Sequence, residues 1–179
     1  MDQIVQLKNN HGFIQAAIYL HKFMPKVHFL LAGKDTDVSN KKLMGMIKDA
    51  NLVGYFHLLG SRFDIPRITA ALDLVSLTSS SEAFPNVLIE AMACGVPCVS
   101  TDAGDAALIL GEDGWIVPVD DMEGLAAQWF VLLRLDEVEK RRYAERARRR
   151  VMDKFEISVV VRRYEEVYRY VKMRKHANN

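Results

Sequence analysis

Apolar residues change period several times along the chain, and each change marks an element. From Gly12 to Phe23 the residues Phe13, Ala16, Ala17, Leu20 and Phe23 recur at helical spacing, which predicts a one-faced helix ended by Pro25. Val27-His28-Phe29-Leu30-Leu31-Ala32 then reads as a short buried strand stopped by Gly33. Helical spacing returns with Leu43, Met44, Ile47 and Ala50, and a second strand follows over Tyr55 to Leu59. Asp64-Ile65-Pro66 opens another helix, with Asp64 placed as N-cap and Pro66 in the first turn, running to about Leu72. Leu74 to Leu77, Pro97 to Ser100 and Gly114 to Pro118 are further strands, and only helices follow Asp121. Strands separated by helices require right-handed crossovers, so the expected fold is α/β: a doubly wound parallel sheet with helices on both faces and an all-helical part over 121–179. Residues 1–11 are polar and aperiodic, and predict no strand.

Composition sharpens this picture modestly. Half of the 179 residues are apolar, which suffices for one core and falls short of two, so a single domain over 1–179 is expected. A net charge of +1 gives no whole-molecule field for nucleic acid, and no nucleic-acid partner is expected. The basic run from Lys140-Arg141-Arg142 to Arg148-Arg149-Arg150 reads as a solvated helix face in preference to a membrane-surface patch. Trp129 and the stripe Val160, Tyr164, Val167, Tyr168 and Val171 read as core and interhelix packing. Cys94 and Cys98 read as buried reduced thiols, and His11, His21, His28, His57 and His176 have no metal-ligand spacing. No apolar run reaches spanning length and no charged-then-apolar leader opens the chain, so a cytoplasmic location is expected.

The chemistry concentrates in Ser79 to Gly95. A strand, a small polar turn and a helix follow one another there, with Pro85 in the first helical turn and Gly95 after the last. A helix opening at the carboxyl end of a parallel strand aims free N–H groups and a positive dipole end into a crevice, the usual seat of a phosphate. Glu82 precedes that tip and Glu90 lies a turn or more inside the helix, so both can reach one ligand lying across it. On spacing alone each glutamate is equally well a dipole complement or a solvated side chain. A dinucleotide oxidoreductase loses its main support, because no Gly-x-Gly-x-x-Gly follows any strand.

The run Ser81-Glu82-Ala83-Phe84-Pro85-Asn86-Val87-Leu88-Ile89-Glu90-Ala91-Met92-Ala93-Cys94-Gly95-Val96-Pro97 resembles the Glu-x7-Glu signature of retaining glycosyltransferases of family 4, in the C-terminal half of the GT-B fold. The likeness extends in order through Phe29 to Gly33, Leu58-Leu59-Gly60, Ala70 to Asp73, Thr101 to Asp105 and Gly114 to Pro118, roughly residues 8 to 170, and is nearest to polysaccharide and capsule enzymes. It implies a nucleotide-diphosphate sugar of the UDP or GDP type as donor, a carbohydrate or lipid-linked acceptor, and no cofactor or metal. Glu90 would bind the ribose hydroxyls and Glu82 the hydroxyls of the transferred sugar. Asn86, Val87 and Leu88 would cradle the diphosphate through their N–H groups, Phe84 and Pro85 would line the sugar, and Ser61 and Arg62 would border the base. Lys8 matches the family's phosphate-binding lysine, which would stabilise the leaving diphosphate.

Departures from the family pattern carry their own expectations. Gln3 stands where an arginine is usual, Asn9 and Asn10 replace the usual Asp and His, Ala83 replaces a common Gly, and Asp105 a second one. The first strand and the acceptor-binding N-terminal domain are expected to be missing, the terminal helix to cover a surface which that domain would occupy, and the chain to be inactive alone. A lipid-linked acceptor would place the parent enzyme at the inner face of the membrane, with peripheral contact there. Two other readings stay open at this point, a nucleotide-sugar epimerase of GT-B architecture and a non-catalytic interaction domain.

Overall fold

The computed structural model describes residues 3–6 and 9–177, and a six-stranded sheet forms its centre. The strands are β1 (Gln3–Gln6), β2 (His28–Ala32), β3 (Phe56–Gly60), β4 (Leu74–Leu77), β5 (Cys98–Thr101) and β6 (Trp115–Val117). They lie in the order β3-β2-β1-β4-β5-β6 with every neighbouring pair parallel, as the alternation of strands and helices requires. In this arrangement the direction of winding reverses between β1 and β4. The crevice outside their carboxyl ends is therefore where a ligand is to be sought.

Helices cover both faces. On one side α1 (Asn10–His21), α2 (Lys41–Asp49) and α6 (Met122–Leu133) enclose a core in which Phe13, Phe29, Phe56 and Trp129 meet. Trp129 is wholly buried, with ring centroids 5.0 Å from Phe13 and 6.2 Å from Phe29. Its indole N–H donates to Ser76 Oγ at 3.0 Å, which settles the one polar atom of a side chain otherwise chosen for bulk. On the other side α3 (Ile65–Thr69), α4 (Asn86–Cys94), α5 (Ala106–Leu110) and α7 (Glu137–Lys154) pack over Val75, Leu77 and Cys98.

The strand at Gln3–Gln6 corrects the expectation that the first strand is missing. It sits in the middle of the sheet, with Ile4 opposite both Phe29 and Leu74. Two apolar residues between glutamines are too few to show alternation, and the strand is defined by the ladders on its two sides. Asp64 does stand at the N-cap of α3 but makes no side-chain cap. Its carboxylate accepts instead from Arg62 Nε and Nη2, both at 2.8 Å, and α3 ends at Thr69, short of the expected Leu72. A bidentate guanidinium partner outcompetes a single backbone N–H.

The basic run on α7 is only partly a solvated face. Arg148 donates to Ala93 O at 3.3 Å and to Cys94 O at 2.7 Å, and Arg150 to Ile109 O at 2.8 Å and Leu108 O at 2.6 Å. Two guanidinium groups thus close the carboxyl ends of α4 and α5, where helical carbonyls have no partner of their own. Gly95, at φ 76°, lets the Arg148 guanidinium approach to where a Cβ would otherwise stand. The last helix, α8 (Ile157–Ala177), corrects a further expectation. Tyr164 and Tyr168 pair with each other but are 61% and 68% exposed, so their stripe is no part of a core among the described residues.

Both cysteines are free, and they differ sharply. Cys98 is fully buried beneath Tyr143, and burial pushes its thiol up to about 12 against the opposing effect of the Tyr143 hydroxyl. Cys94 is half-buried. A thiol-alkylating reagent at neutral pH should therefore add one adduct, on Cys94, to the native chain and two in denaturant, as read by intact mass.

Candidate functional site

The site is assembled on β4. Leu74 to Leu77 are all buried, and the chain emerges at Thr78 and Ser79, which are still covered by neighbouring loops. Three hydrogen bonds hold this exit. Asn9 Nδ2 donates to Thr78 O at 2.9 Å, Thr78 Oγ1 donates to Asn9 O at 3.2 Å, and Thr101 Oγ1 donates to Ser79 O at 2.6 Å. Asn9 itself takes a left-handed conformation (φ 54°), and its Oδ1 caps α1 by accepting from Gly12 N. One asparagine thus ties the start of α1 to the end of β4 across the β1–β4 crevice.

Glu82 is fixed from this platform, since Ser79 Oγ donates to its Oε1 at 2.7 Å. The loop after β5 supports the same turn from the other side, with Asp105 N donating to Ala83 O at 3.1 Å. Gly104 (φ +56°) lies so close beneath it that a Cβ there would stand 2.2 Å from Glu82 O. Any side chain at 104 would displace the Glu82–Ala83 peptide or be displaced by it.

Beyond this turn α4 opens with Pro85 at its N-cap and no side chain capping it. The first N–H groups of α4, at Asn86 and Val87, are left for an anion, and the dipole end adds to their pull. Leu88 is buried and anchors the first turn, and its N–H bonds Pro85 O at 3.1 Å. Phe84 stands 43% exposed before the tip, edge-on to Phe155 at 6.1 Å. Glu90 is exposed, one turn before Cys94, and Cys94 Sγ lies 3.9 Å from Pro66 O. Glu90 therefore projects from the face of α4 that runs beside α3. Ser61 and Arg62 lie in the loop between β3 and α3.

The structure accordingly brings Glu82, Phe84, Pro85, Asn86, Val87 and Leu88 together at the α4 tip, with Glu90 along its α3 side, while Ser61 and Arg62 stand in the loop that leads to α3. The Arg62 guanidinium is engaged with Asp64, so the backbone is the part of that loop left to meet a ligand. Lys8 lies outside the described residues. Asn9, Ser79, Thr101 and Gly104 were not foreseen from the sequence as supports of this site. Ser79 alone had a local signal, a hydroxyl three residues before the glutamate it bonds.

The family described as Glycosyl transferases group 1 matches residues 3–134. N-acetyl-alpha-D-glucosaminyl L-malate synthase of Bacillus anthracis is 35% identical over 128 residues, covering 70% of this chain and 33% of that protein. The crystal structure of Anabaena Alr3699/HepE in complex with UDP superposes with a TM-score of 0.82 at 25% identity, covering 94% of this chain and 48% of that one. The C-terminal domain of a glycosyl transferase group 1 family protein (LpcC) from Francisella tularensis superposes with a TM-score of 0.70 at 25% identity, covering 87% of each. The chain thus spans a third of the curated relative and about half of the Anabaena structure.

Proposed function

The chain belongs to the glycosyl transferases group 1 family, and on that premise we propose that it is the donor-binding half of a retaining glycosyltransferase that moves a sugar from a nucleoside diphosphate to a carbohydrate or lipid-linked acceptor. The observation that carries this reading is the uncapped tip of α4 at the carboxyl end of β4, with Glu82 held before it and Glu90 along its side. The UDP complex of the Anabaena relative favours a uridine donor.

In this reading Leu88, whose N–H is engaged with Pro85 O, anchors the turn, and the N–H groups of Asn86 and Val87 meet the diphosphate. The charge that develops as the glycosidic bond breaks is stabilised by them and by Lys8, with no metal required. Glu90, acceptor only when ionised, takes two vicinal ribose hydroxyls. Glu82 takes hydroxyls of the transferred sugar, and its fixed orientation through Ser79 makes it selective among them. Phe84 and Pro85 line the sugar, and the backbone at Ser61 and Arg62 borders the base. A facing domain supplies the acceptor wall, so donor binding without transfer is the behaviour assigned to this chain alone. With a lipid-linked acceptor, transfer takes place at the cytoplasmic membrane face.

UDP titration followed by amide chemical shifts tests this. Saturable shifts centred on Val87 to Glu90 are expected, and Glu90→Gln should weaken UDP about tenfold or more while Glu82→Gln changes it little, because UDP carries the ribose and lacks the sugar. Unmoved amides at millimolar UDP would remove the site, and equal effects of the two substitutions would remove the division of labour between the glutamates.

A further inference from the structure

We propose that His28 and His57 form a chelating site for a divalent transition metal of the Cu2+ or Ni2+ type, at the end of the sheet opposite the α4 tip. His28 opens β2 and His57 is the second residue of the edge strand β3. His57 is in register with Leu30, two residues beyond His28, so both imidazoles stand on one face of the sheet. His28 Nδ1 and His57 Nε2 are 2.8 Å apart, and the rings are stacked with centroids at 5.0 Å and planes 29° from parallel.

Two imidazoles in this contact share one N–H between two ring nitrogens. When the shared proton moves to the other nitrogen of its own ring and the imidazoles turn slightly off the N···N axis, a metal ion takes both lone pairs. With metal–nitrogen bonds of about 2.0–2.1 Å, ligands at a right angle lie about 2.9 Å apart and tetrahedral ones about 3.3–3.4 Å. The observed 2.8 Å therefore suits the tetragonal ions better than tetrahedral Zn2+. The ring of Tyr55 lies 5.7 Å from His28 and 4.3 Å from His21, which limits how far the His28 ring can turn away. His57 is exposed, leaving the ion an entry path and room for water as the remaining ligands. Bound there, the ion ties the edge strand to its neighbour and stabilises the fold by mass action.

The test is Ni2+ titration by calorimetry in a non-coordinating buffer at neutral pH, on the full chain without a polyhistidine tag and with Cys94→Ser to remove a competing thiol. Binding of one equivalent with a rise in Tm is expected, lost at least about tenfold in His57→Gln and separately in His28→Gln, and retained in His11→Gln. Far-UV circular dichroism establishes that the variants are folded. Saturation unchanged by either substitution at 28 or 57, or no saturable binding at all, overturns the site. A Zn2+ affinity above that for Ni2+ overturns the tetragonal geometry.

Discussion

Replacing Trp129 by alanine should lower the free energy of unfolding by about 3–5 kcal/mol, the largest effect expected of any single core change. The indole is wholly buried and sits among Phe13 and Phe29, which belong to a rigid sheet and a helix and cannot collapse into the space it leaves. Its loss also strips Ser76 Oγ, in the interior of β4, of its donor. Trp129→Phe separates the two contributions, because it keeps most of the volume and removes the N–H, and should cost about 1–3 kcal/mol. Urea unfolding followed by circular dichroism would measure both. A Trp129→Ala loss below that of Trp129→Phe would contradict the packing account.

Gly104→Ala should be nearly as damaging to the site while leaving the fold in place. A methyl at this position meets Glu82 O at 2.2 Å, and the residue must hold φ +56°, which costs a non-glycine residue about 1–2 kcal/mol before any collision. The relief available is movement of the Glu82–Ala83 turn, which would break the Ser79–Glu82 hydrogen bond and tilt the approach to α4. UDP affinity is expected to fall about tenfold or more, with a Tm lowered by only a few degrees. Wild-type affinity in a folded Gly104→Ala chain would mean that the turn does not shape the donor site.

Much of this architecture was legible because the buried strands of a parallel sheet are short apolar runs; Phe29 to Ala32 is of that kind, and Leu74 to Leu77 is interrupted only by Ser76. The α4 stretch was legible for a different reason, since proline before it and glycine after it are local instructions. β1 escaped notice because a central strand takes its identity from two neighbours and this one has only Ile4 and Val5 to show. Asn9 and Thr78 are 69 residues apart and His28 and His57 are 29 apart, so no spacing rule reaches either pair. The Asp64 cap failed through competition from Arg62, which sequence placed nearby without ranking the two bonds. Arg148 and Arg150 look on a helical wheel like any solvated cation, and their partners are backbone carbonyls of other helices, which carry no signature in the sequence.

Those two arginines also draw a border. The family match ends at residue 134, just after the last residue of α6. Yet the helix that carries Glu90 is closed from behind by Arg148, and the β5 strand is roofed by Tyr143, which accepts a hydrogen bond from Cys98 N at 3.2 Å. A polypeptide cut after α6 would keep every residue assigned to the donor and lose the brace that keeps α4 seated. A transplanted module should therefore carry α7 with it, past the end of the family match.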